Sequence, residues 1–111
     1  MVREYVSLLL MWNQSISLTT VTDPDEIISR HFGESMFAAK LISVENCRLA
    51  DVGTGAGFPG LPLKILSPTL DLVLIESNKK KYAFLSEVVR SLGLKSVEVL
   101  PERFEMREFV V

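Results

Sequence analysis

Hydrophobic and polar positions along the chain fall into a helical front end followed by alternating strands and helices. Tyr5, Leu8, Leu9 and Trp12 recur at helical spacing and predict a helix over about residues 2–13. Ser15 to Thr22 is polar and β-branched. It ends in Asp23-Pro24-Asp25-Glu26, an acidic N-cap, a proline at the first helical position and two acids in the first turn. A helix is expected from there to near Gly33, and another over about Ser35–Ile42. Arg48-Leu49-Ala50-Asp51-Val52 reads as a short strand running into glycines. Leu61–Leu66 reads as a short helix, stopped by Ser67-Pro68. The apolar run that follows Asp71 and ends at Ile75 suits a parallel strand covered on both faces. Lys79–Leu92 is the strongest helical pattern, with Tyr82, Leu85, Val89 and Leu92 as its expected buried stripe and Gly93 as its stop. Val97–Leu100 is a third strand. The alternation predicts a parallel sheet with right-handed crossovers.

Composition narrows the class. A chain of 111 residues holds one domain or part of one. Apolar residues at 48% and charged residues at 23% exclude a disordered chain. With 12 Lys+Arg against 14 Asp+Glu, the net charge is −2, so any grip on nucleic acid must come from a local patch. The single Cys47 excludes a disulfide framework. With one histidine beside it, a His/Cys metal cluster cannot be assembled either. The longest apolar runs, such as Leu8–Trp12, fall far short of the roughly 18 residues of a spanning helix. The N-terminal run meets Trp12-Asn13-Gln14 instead of a small-residue cleavage site, so no signal peptide is read. A soluble cytoplasmic protein without membrane or metal is expected.

The informative segment is Asp51-Val52-Gly53-Thr54-Gly55-Ala56-Gly57-Phe58-Pro59-Gly60. It follows a strand and precedes a helix, the context of a nucleotide-binding loop. Glu76 ends the next strand, at the spacing where an acid receives ribose hydroxyls. The pattern is G-x-G-x-G. Phe58 stands where a dinucleotide fold needs its third glycine, and no G-K-[ST] follows, so a P-loop is excluded. Asp51 would repel a pyrophosphate and suits a cationic ligand. S-adenosylmethionine, with its sulfonium, ammonium and ribose, fits best. A nicotinamide or flavin site and a bare connecting turn remain open.

With its flanks, the segment resembles the RsmG/GidB family, bacterial methyltransferases acting on guanine N7 of 16S ribosomal RNA. Asp51-Val52-Gly53-Thr54-Gly55-Ala56-Gly57-Phe58-Pro59-Gly60-Leu61-Pro62 is similar to the family's cofactor motif. Trp12-Asn13, Ser17-Leu18-Thr19-Thr20, Asp23-Pro24 and Arg30-His31-Phe32-Gly33-Glu34-Ser35 resemble its flanking elements, with Glu34 for the usual Asp and Ser17 for the usual Asn. The resemblance implies an α/β fold: N-terminal helices over residues 1–46, then over 47–111 the first half of a Rossmann-like class I methyltransferase fold, stopping after three strands of seven. It implies S-adenosylmethionine as cofactor and the small ribosomal subunit or its 16S RNA as partner. Gly53 and Gly55 would present backbone to the cofactor, Phe58 would pack at its edge, and Glu76 would receive the ribose. Phe104 and Glu105, in the R-x-E turn begun by Arg103, would border the adenine.

The resemblance names no catalytic residue. Guanine N7 carries a free lone pair and no proton, so neither His31 nor another base is required, and catalysis rests on proximity and in-line alignment. Arg30 could contact RNA phosphate or shape the active-site wall. Lys79-Lys80-Lys81 reads either as a solvated helix start or as an RNA-phosphate contact. The first strand, central in the complete fold, is expected to leave an open apolar edge that could pair with another copy. Two other classes stay in view: a non-catalytic fragment of such an enzyme, and a dinucleotide-dependent oxidoreductase half-domain.

Overall fold

The computed structural model describes residues 1–19, 23–34, 37, 48–58 and 60–102. Helix α1 spans Val2–Asn13 and buries Tyr5, Val6 and Leu9. Leu8 and Trp12, expected on the same face, are half-buried at its margin. Asn13 closes the element: its Oδ1 accepts from Leu18 N at 2.8 Å and Thr19 N at 3.0 Å, which folds the following turn back on the helix.

Helix α2, Pro24–Ile27, starts as its sequence predicts. Asp23 in extended conformation accepts from Asp25 N, with Pro24 at the first position. From Ile28 to Phe32 the helix widens into a π turn. The wider turn brings residues five apart onto one face. Ile27 and Phe32 are thus both buried, and Phe32 meets the Tyr5 ring edge-on at 6.0 Å. The helix expected over about Ser35–Ile42 falls almost wholly outside the described residues.

Three parallel strands follow in sheet order β1-β2-β3: β1 Arg48–Val52, β2 Asp71–Ile75 and β3 Val97–Leu100. Arg48 pairs with Asp71 and Val52 with Ile75; Leu72 pairs with Val97 and Ile75 with Leu100. Helix α3, Gly60–Leu66, connects β1 to β2, and α4, Lys79–Leu92, connects β2 to β3. Both crossovers step the same way along the sheet, so right-handed connection places both helices on one face. Leu72 and Leu74 point into that helical layer and are fully buried. β2 is buried almost throughout, as its apolar run predicts, whereas β1 is the edge among the described strands, with Arg48, Ala50 and Val52 exposed.

Helix α4 begins on Asn78, whose side chain accepts from Lys80 N and Lys81 N, and ends on Gly93 in the left-handed conformation. Its fully buried residues are Phe84, Leu85 and Val88. The expected stripe shared only Leu85; Tyr82, Val89 and Leu92 are half-buried. The face is rotated because α4 packs on α1 as well as on β3, and Phe84 turns toward Trp12 with ring centroids 5.8 Å apart. Lys64 at the end of α3 is 3% exposed. Its Nζ donates to the carbonyls of Pro68 at 2.7 Å and Leu70 at 2.5 Å, tying α3 to the entry of β2. No helix among the described residues is long and apolar enough to cross a membrane.

Candidate cofactor site

β1 and β2 end side by side, and the glycine loop leaves from that rim. Gly53 N donates to Ile75 O at 2.8 Å, one ladder step beyond Val52. On the β2 side, Glu76 N donates to Leu100 O at 3.0 Å, so the acid sits where all three strands end. Its carboxylate turns back toward the loop. Oε1 accepts from Gly55 N at 2.8 Å and Oε2 from Asn78 N at 3.0 Å. Glu76 is 7% exposed, and these amides replace the water that burial removes. A carboxylate oxygen has two acceptor positions, so each retains one for a further donor.

The loop's glycines serve two ends. At Gly53 and Gly55, both with positive φ, an added Cβ would meet nothing within 4 Å among the described residues. The backbone there is clear of the described residues, the condition for close approach of a ligand. At Gly57 an added Cβ would overlap the Leu61 side chain and lie 3.1 Å from Tyr5 Oη. At Gly60 it would lie 2.8 Å from Asp51 Oδ2 and 2.9 Å from Leu74 Cδ2. These two glycines are required by the protein's own packing.

Two further side chains, Tyr5 and Asp51, hold the loop. Tyr5 Oη donates to the carbonyl of Ala56 at 2.5 Å across 51 positions of sequence. The Tyr5 ring meets Phe58 edge-on at 5.9 Å. Burial drives the Tyr5 phenol well above its ordinary pKa, and the nearby Asp51 charge adds to the shift, so the hydroxyl remains a donor. Asp51 Oδ2 accepts from Gly60 N at 3.0 Å, at the start of α3. Burial raises the Asp51 pKa above its ordinary value. The neighbouring Thr54 hydroxyl and Gly60 amide oppose that shift, and the Glu76 charge adds to it. Thr54 Oγ1 itself is buried without a well-formed hydrogen bond among the described residues, so its effect on Asp51 is one of proximity.

The structure therefore joins Gly53, Gly55 and Glu76 in one rim and places Phe58 behind it, against Tyr5. Phe104 and Glu105, with Arg103, lie outside the described residues. Arg30 is exposed on the π turn. Tyr5, Asn13 and Asn78 were not read from sequence as supports of this region. Their signals were available: a tyrosine within an apolar stripe, an asparagine closing a helix, and an asparagine just ahead of a helical run. No cluster of metal-ligating side chains occurs among the described residues.

The family model described as rRNA small subunit methyltransferase G matches residues 1–110. The chain belongs to the GidB family. Among curated relatives, the ribosomal RNA small subunit methyltransferase G of Desulfitobacterium hafniense is 46% identical over 101 residues, covering 91% of this chain and 41% of that protein. The like-named protein of Xylella fastidiosa is 46% identical over 91% of this chain and 47% of its own length. That of Roseiflexus castenholzii is 47% identical over 92% of this chain and 44% of its own. The chain thus spans less than half the length of these relatives. Within the family the three parallel strands and their helical layer correspond to the first half of a Rossmann-like methyltransferase fold.

Proposed function

We propose that this GidB chain carries the cofactor-binding half of an S-adenosylmethionine-dependent methyltransferase acting in the cytoplasm on guanine N7 of 16S ribosomal RNA. The observation that carries the reading is the Gly55 N–H to Glu76 Oε1 bond at 2.8 Å, which locks the glycine loop to the acid at the strand ends. Glu76 keeps acceptor positions for two ribose hydroxyls, and the backbone of Gly53 and Gly55, clear of the other described residues, would face the rest of the cofactor. Phe58 would border the cofactor, and Phe104 and Glu105 the adenine. The cofactor supplies an electrophilic methyl group on a sulfonium. The protein's part is to hold that methyl in line with the N7 lone pair and to exclude water. No side chain need remove a proton, because N7 has none. Placing reactants in this way accounts for rate enhancement without a general base.

Among the described strands β1 is flanked by β2 alone, and the chain spans less than half the length of its relatives. The chain alone is therefore expected to bind cofactor weakly and to transfer no methyl group. Calorimetric titration with S-adenosylhomocysteine tests the reading. Saturable binding, lost in Glu76→Ala and absent with NAD, supports it. Binding of NAD in preference to S-adenosylhomocysteine would favour the oxidoreductase class and refute it.

A further inference from the structure

We propose that the groove between the end of α1 and the start of α4 is a docking surface for single-stranded RNA; this rests on the methyltransferase reading and extends it to the substrate strand. The groove encloses about 630 Å³ and is lined by Met11, Trp12, Ile16, Lys79, Lys80 and Ala83. A polar cleft of about 390 Å³ continues it, lined by Ser15, Ser17, Asn78, Lys80 and Lys81 among others. One surface thus combines an aromatic and apolar floor with a row of cations and hydroxyls. That pairing suits a single strand, whose bases stack on apolar and aromatic side chains while its phosphates meet lysines.

The lysines argue for an anionic partner. The chain is net negative, yet Lys79, Lys80 and Lys81 stand together in the first turn of α4 with no acid in that turn. Among the described residues none of their ammonium groups forms an ion pair. Cations at a helix N-terminus oppose its dipole and weaken the helix. Sequences break such a local rule mainly where function requires it. Position agrees. Asn78, which lines the cleft, donates its backbone N–H to Glu76 Oε2 at 3.0 Å, so the groove opens beside the proposed cofactor carboxylate. Chemistry agrees as well. Guanine N7 faces the major groove of a duplex, and that of A-form RNA is too deep and narrow for side chains to enter. A base methylated at N7 is best delivered from an unpaired strand.

Trp12 is the only tryptophan of the chain and lines the groove, so its emission reports occupancy directly. The 111-residue chain is titrated with a short mixed-sequence single-stranded RNA oligonucleotide at several salt concentrations. Saturable quenching is expected. Three lysine–phosphate contacts predict an affinity loss of about 20-fold between roughly 50 and 200 mM salt, and Lys80→Gln/Lys81→Gln reduces that loss to about 3-fold. The same double variant should be more stable than the parent, because two cations leave the helix start, so weaker binding cannot be ascribed to unfolding. Absence of quenching, an unchanged salt dependence in the double variant, or equal quenching by duplex RNA each overturns the proposal. S-adenosylhomocysteine binding is measured on the same samples. RNA failure with cofactor binding intact refutes the groove alone, and the converse refutes the cofactor reading.

Discussion

Replacing Tyr5 by Phe removes one oxygen and keeps the ring. The ring is fully buried, and its edge-on contacts to Phe32 at 6.0 Å and Phe58 at 5.9 Å should survive. The loss is the hydroxyl bond to the Ala56 carbonyl, which joins α1 to the glycine loop. Leaving a buried acceptor without its donor costs about 1–3 kcal/mol. Urea unfolding at neutral pH, followed by circular dichroism, measures that loss. Alkaline pH supplies a second arm. In the folded chain the Tyr5 pKa lies well above the ordinary value of 10.0, so only the unfolded chain ionises as pH passes that value. The Tyr5 contribution is fully present below the unfolded pKa and is lost as pH rises toward the folded one. Parent stability should therefore fall relative to Tyr5→Phe by about 1.4 kcal/mol at one pH unit above the unfolded value. A neutral-pH difference below about 0.5 kcal/mol would show that the hydroxyl bond contributes little beyond an ordinary surface contact. A difference that stays flat through alkaline pH would refute the assignment of a buried, un-ionised phenol.

Gly60→Ala places a methyl 2.8 Å from Asp51 Oδ2 and 2.9 Å from Leu74 Cδ2, and should destabilise by about 1–3 kcal/mol in urea unfolding. Gly33→Ala, with ordinary helical φ and nothing within 4 Å among the described residues, should be neutral or stabilising by up to about 1 kcal/mol in the same assay. Asp51→Asn imitates the protonated acid. The folded Asp51 pKa is raised above 3.8, so the parent gains stability from this group as pH falls through the folded value. The variant should therefore be the more stable at neutral pH, with the gap closing toward pH 3.8 in pH-dependent unfolding.

The fold was legible where local chemistry and tertiary context agree. Asp23-Pro24 states a helix start without any partner. The apolar run of β2 states a strand buried on both faces, and Gly93 a left-handed stop. The buried face of α4 was misread because periodicity fixes which residues share a face, not which of two neighbouring faces a second helix will cover. Phe84 is buried because Trp12 lies opposite, and that is a fact about α1. The π turn was hidden for the same reason. Ile27 and Phe32 share a face only once Tyr5 and the core hold both inward.

The candidate site shows the division more sharply. Its glycines and Glu76 were readable because strand, loop and acid form a contiguous pattern with a known geometric consequence. What holds them in place was not. Tyr5 reaches Ala56 across 51 positions and Glu76 reaches Gly55 across 21, and no periodicity spans such distances. The result is a loop held at three points: Ala56 by Tyr5, Gly60 by Asp51 and Gly55 by Glu76. Of these groups only Glu76 lies on the rim beside Gly53 and Gly55, whose backbone is clear of the other described residues. Asp51 and Tyr5 are spent on the protein itself. Asp51, whose charge favours a cationic ligand when read from sequence, is instead engaged with the Gly60 amide at the start of α3. Its influence on a bound cofactor then runs through the loop it shapes. Changes at Asp51 should therefore move stability at least as far as affinity, whereas changes at Glu76 should move affinity further than stability.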